Sequence, residues 1–124
     1  MKSAVISKVL AVNATITTTG SSTSDPINIG YAEYFSVHAQ ISGTTPEVKV
    51  EIEISACQEG DPDLVGKEPS DAWITPTTGG TIRASASSNF CDGFTVPVCK
   101  WMRVKVTGIN ASASAKVYLI IMYQ

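Results

Sequence analysis

Histidine is nearly missing from this 124-residue chain, where His38 stands alone. One imidazole gives no basis for a histidine-rich metal site, and without a GxSxG segment a serine or cysteine triad has no support. Cysteine is also sparse. Cys57, Cys91 and Cys99 make an odd count with no CxxC spacing, so zinc is not expected. They read as buried free thiols, with a Cys91–Cys99 cross-link as the alternative. Charge is low too: 16% of residues, nine basic against eleven acidic, net −2. That leaves no basic footprint for nucleic acid. No apolar run approaches the roughly 18 residues that a membrane-spanning helix needs. In the opening MKSAVISKVLAVNA, Lys8 interrupts the apolar stretch, so a cleaved leader is not expected.

A sustained helical period is missing as well, and a period of two takes its place. In EVKVEIEISA (47–56), Val48, Val50, Ile52 and Ile54 alternate with Lys49, Glu51 and Glu53. Such a segment is a strand with one dry face and one wet face. Phe35, Val37, Ala39 and Ile41 repeat the pattern, with His38 on the polar side, and SGTTP (42–46) predicts an antiparallel hairpin joining the two. Further strands are predicted within 4–19, at Ile27–Ile29, at Thr81–Ala86 and at Trp101–Thr107. The closing KVYLIIMYQ is apolar on both sides, as expected of a central or covered strand. GSSTSDP (20–26), DGF (92–94) and GINASAS (108–114) read as loops or turns. The predicted fold is an all-β, antiparallel two-sheet sandwich of seven or eight strands, jelly-roll or immunoglobulin-like. Residues 1–30 form an N-terminal strand or arm, and 31–124 form the sandwich. A long loop at 57–80, holding Pro62, Pro69 and Pro76, is anchored by Trp73.

Several residues invite chemistry. Glu59, Asp61 and Asp63 are the oxygen type that calcium prefers, but the EF-hand spacing is missing, and a solvated acidic turn is the simpler reading. A carboxylate pair for glycoside hydrolysis has Glu51, Glu53, Asp71 and Asp92 to draw on. Of these, Glu51 and Glu53 read as ordinary outward patterning beside Lys49. Asn13 and Asn110 begin short sequons of the kind that arise by chance. The aromatic residues Trp73, Trp101, Tyr31, Tyr34, Tyr118 and Tyr123 offer material for a sugar platform, but core or loop anchoring is the plainer role. Neither a catalytic constellation nor a cofactor or metal site is expected.

The order DAWITP, DGF, KWMRVKVTG and the closing KVYLIIMYQ, preceded by the segment FSVHAQISGTTPEVKVEIEIS, resembles small β-sandwich structural proteins of tailed-bacteriophage virions. The resemblance spans about residues 33–124. It implies a non-enzymatic decoration, neck or tail component located in the virion. Such a protein binds its own copies, as a trimer for instance, and the major capsid or tail proteins. Trp73, Trp101, Arg103, Tyr31 and Tyr34 are the expected contact residues. An extracellular carbohydrate-binding module is the alternative.

Overall fold

The computed structural model describes residues 5–17, 20–29, 32, 34–43, 46–55, 73–96, 101–110 and 113–123. Among them are nine strands and no helix: β1 (Val5–Ile16), β2 (Ser21–Thr23), β3 (Ile27–Asn28), β4 (Tyr34–Gly43), β5 (Glu47–Ser55), β6 (Thr81–Ala86), β7 (Phe90–Phe94), β8 (Trp101–Asn110) and β9 (Ala113–Tyr123). One sheet runs β1-β9-β4-β7. The other runs β2-β8-β5-β6, with β3 also pairing β8. The strand pairs are antiparallel. β2 and β3 flank successive parts of β8 and act as one interrupted edge strand. Except at β2–β3 and β5–β6, each strand is followed by one in the opposite sheet, which is jelly-roll connectivity.

The predicted alternation is the burial pattern of the core. Val37, Ala39, Val48, Val50, Ile52, Met102, Val104, Val106, Val117 and Leu119 are all at 0% exposure. Each fully buried Val or Ile contributes roughly 1.5–3 kcal/mol before chain entropy is subtracted. Ile54, near the end of β5 and bridged to Ile74, is only half-buried.

Four expectations are corrected. β4 and β5 do not form a hairpin, since they lie in opposite sheets with their dry faces turned to each other. Alternation fixes a dry face without fixing which sheet a strand joins. Gly43, at φ 132°, takes a conformation closed to most side chains at the point where the chain leaves one sheet for the other. DGF is strand, with Gly93 opposite Ser36 and Asp92 opposite Val37. Part of GSSTSDP is the edge strand β2. Where Pro26 would break that edge, Ser24 Oγ accepts the Val104 N–H at 2.9 Å while the Ser24 N–H donates to the Val104 carbonyl at 2.8 Å. GINASAS is mostly strand as well, because β8 runs to Asn110 and β9 starts at Ala113. Gly108 suits that path: a Cβ there would meet the Thr17 carbonyl oxygen at 2.2 Å.

Residues 5–16, expected as a strand or arm beside the sandwich, form an edge of the four-stranded sheet, paired with β9 along their length. Val12 and Ile16 lie in the core at 2% and 3% exposure. Of the long loop, only residues 73–80 are described. The acidic stretch with Glu59, Asp61, Asp63 and Asp71 lies outside the described residues, as do Cys57, Cys99 and Tyr31.

Candidate functional site

Trp73 and Arg103 meet on the outer face of the five-stranded sheet. β8 points Arg103 outward, opposite Glu53 of β5, as its alternation requires. Yet Arg103 is only 4% exposed and Glu53 9%. Trp73 packs over Arg103, its ring centroid 4.4 Å from the guanidinium carbon. Beneath it, Arg103 Nε donates to Glu53 Oε1 at 3.1 Å. The segment is fastened by Ile74, which exchanges two backbone hydrogen bonds with Ile54 at 2.9 and 3.0 Å, and by Gly80, whose carbonyl accepts from Ile52 N–H at 2.7 Å. Arg103 Nη2 and the half-buried Trp101's Nε1 are sealed from solvent without a hydrogen-bond partner. Trp73 therefore anchors its loop as expected. Glu53 and Arg103, in contrast, are not ordinary outward polar residues. They form a buried pair under an aromatic lid, and Trp73 is unavailable as a sugar platform.

Tyr34 belongs to a different surface. In the four-stranded sheet the register sets Ile6, Met122 and Tyr34 in one row across β1, β9 and β4. Lys8, Ile120 and Ser36 make the next row, and Leu10, Tyr118 and His38 the third. These side chains point away from the core. Ile6 is 63% exposed, Leu10 48% and Tyr34 49%. A shallow depression of about 130 Å³ lies among Ile6, Tyr34, Phe35, Ser36, Ile120 and Met122. Lys8 Nζ lies 4.2 Å from the centroid of the Tyr118 ring and Lys116 Nζ 5.8 Å from it. Cys91 stands opposite His38 at the far side of this face, exposed and unbonded, against the expectation of a buried thiol. The β9 side of this surface was readable as two-sided apolarity in KVYLIIMYQ. The β1 side carries the same signal in Ile6 and Leu10 against Val9 and Val12, within the segment expected as an N-terminal strand or arm.

A third feature closes the β6–β7 rim. Arg83 of β6 donates from Nε to Asp92 Oδ2 at 2.6 Å and from Nη2 to Oδ1 at 3.2 Å, tying one sheet to the other. The guanidinium also lies 4.6 Å from the Phe90 ring centroid. The hydrogen bond to Asp92 raises the Arg83 pKa above its ordinary value, against a smaller opposing effect of desolvation. Asp92 thus spends its carboxylate on a structural clasp. Among the described residues, no group of three or more His, Cys, Asp or Glu side chains is placed to hold a metal ion.

No family model matches the chain, and no curated protein matches it. Solved structures do. The chain is similar to the SPBc2 prophage-derived protein YomS, at 13% identity and a TM-score of 0.59, over 99% of this chain and 97% of that one. It is similar to the PBSX exported protein XepA at 12% identity and a TM-score of 0.59, over 93% of this chain but only 36% of XepA. A chain of the infectious bursal disease virus Gt strain matches at 11% identity and a TM-score of 0.51, over 98% of this chain and 33% of that one. At these identities the likeness is one of fold: the chain shares its β-sandwich with these proteins.

Proposed function

We propose that this chain is a non-enzymatic structural protein of a tailed-phage virion, which binds its own copies and a capsid or tail surface as a decoration, neck or tail component. One observation carries the reading: the apolar outer face of the four-stranded sheet, where Ile6, Leu10 and Tyr34 remain exposed together. Large apolar groups clustered on one face are the mark of a surface that another chain covers. Burial there yields roughly 25 cal/mol per Å² of apolar surface, offset by the cost of association. The prophage origin of YomS, which has this fold over nearly its whole length, supports the viral setting.

The free edges argue against assembly by strand exchange. β1 carries Lys8 and a register shift between Leu10 and Val12, β6 has two register shifts, β7 is five residues long, and β2 and β3 are separated at Pro26. These are the devices by which sheets block edge pairing. The test is quantitative mass spectrometry of purified particles from cells carrying the gene, with recombinant protein added to particles from a deletion strain. The chain is expected in particles at a fixed ratio to the major capsid or tail protein, and the added protein is expected to restore it. Absence from particles, together with failure of the added protein to bind them, overturns the reading.

A further inference from the structure

β6 and β7 end their respective sheets on the same side of the sandwich, so the two sheets' outer edges adjoin there. They are bridged twice. At one end Gly79, at φ 80°, comes so near the other sheet that a Cβ on it would meet the Thr95 carbonyl oxygen at 2.6 Å. At the other end the Arg83 guanidinium grips Asp92 with bonds of 2.6 and 3.2 Å. Between the bridges lies a cleft of about 450 Å³, with Thr81, Ile82, Asp92, Phe94 and Thr95 on its walls. Small-molecule sites measure roughly 300–1,000 Å³, so the size fits a compact ligand.

The walls narrow the class of that ligand. Asp92 disfavours an anion, and the guanidinium bonded to it disfavours a cation. The bridges close the cleft along the strand direction, which blocks an extended peptide laid along the edges. What remains is hydrogen bonding suited to hydroxyl groups. A carboxylate offers about four lone-pair positions, and Arg83 takes one on each oxygen. The others accept from hydroxyls while the same guanidinium holds the carboxylate in place. The exposed Thr81 and Thr95 add hydroxyls that both donate and accept. Ile82 and Phe94, half-buried, give apolar surface against which the C–H face of a sugar ring packs. Phe94 is braced by stacking on Phe35, with ring centroids 5.5 Å apart. Asp92 is the one carboxylate among the described residues lining the cleft, whereas glycoside cleavage takes a pair. The arrangement binds a sugar without cutting it.

We propose that the cleft between β6 and β7 holds one neutral monosaccharide unit of a glycan, its hydroxyls on Asp92, Thr81 and Thr95 and its ring against Phe94. This site goes beyond the assembly reading, because it lies at the β6–β7 rim, apart from the apolar face of Ile6, Leu10 and Tyr34.

The experiment titrates the isotope-labelled full chain with the methyl glycosides of glucose, galactose, mannose and N-acetylglucosamine. Amide shifts are followed by NMR, and melts show that each variant is folded. At least one of the four is expected to bind saturably and to move the amides of Thr81, Gly93 and Thr95. Glucuronic acid should bind about tenfold more weakly or not at all. Thr81→Val with Thr95→Val, which leaves the Arg83–Asp92 bonds in place, should weaken binding about fivefold or more. Asp92→Asn should weaken it about tenfold or more. Ile6→Glu with Leu10→Glu should leave it unchanged. No saturable binding of any of the four sugars overturns the inference. So does binding that moves the amides around Tyr34 and Tyr118 instead, that is as tight for glucuronic acid, or that survives both cleft variants.

Discussion

Glu53 and Arg103 show how one distant side chain changes the meaning of two charges. Both occupy the polar phase of their strands, and both point away from the core. Trp73 packs over the Arg103 guanidinium, and the pair sits at 9% and 4% exposure. Removing one partner from a buried pair strands the other, at a cost of about 3–5 kcal/mol. Arg103→Met and Glu53→Ser should each destabilise on that scale in urea melts, whereas Glu51→Ser, whose partner Lys49 lies at 3.4 Å near solvent, should change stability by less than about 0.5 kcal/mol. Glu53→Leu combined with Arg103→Met should recover most of the loss. Equal small effects at Glu51 and Glu53 would show that Trp73 does not shield the pair. The face of each residue was legible from the period of two. Its burial was not, because the covering residue belongs to a segment with no period. Ser24 makes a similar case: Ser24→Ala leaves the buried Val104 N–H without its side-chain acceptor and should cost about 1–3 kcal/mol.

At the scale of elements, β5 follows its predicted alternation through Ile52 and departs from it at Glu53 and Ile54. Ile52, at 0% exposure between β6 and β8, tolerates no charge, so Ile52→Asp should abolish cooperative folding, read as loss of the melting transition. The dry faces of β4, β5 and β8 were all legible, as were the bounds of β6, Thr81–Ala86. Sheet membership was not. A short connection between two alternating strands fits a hairpin within one sheet and an arch between two sheets, and alternation does not distinguish them. Polar composition also misled at GSSTSDP and GINASAS. Serine and glycine served there as strand residues because a backbone partner was at hand, as with Gly20 accepting from the Gly108 N–H at 2.8 Å. Of the expected contact residues that the structure describes, Tyr34 alone belongs to the exposed apolar face, which period could mark as two-sided but could not assemble from β1, β9 and β4.

For the whole molecule, β1 decides whether the N-terminal segment is an appendage or part of the body. An arm could be removed without harm to the sandwich. β1 instead pairs with β9 from Val5 to Ile16, and its inward residues Val12 and Ile16 are part of the same core as Val117 and Leu119. Deleting residues 2–24 removes that strand together with β2, which covers β8 on the other sheet. Each of the buried side chains lost contributes roughly 1.5–3 kcal/mol, and a domain of this size has only about 5–15 kcal/mol of net stability. The truncated chain should therefore be unfolded or insoluble, with no cooperative melt. Ile6→Glu with Leu10→Glu changes only the outward side of the same strand and should melt within a few degrees of the wild type. If the truncated chain instead melts cooperatively as a soluble monomer, β1 contributes little to the core, and the contact between copies has to be sought along its edge rather than across its outer face.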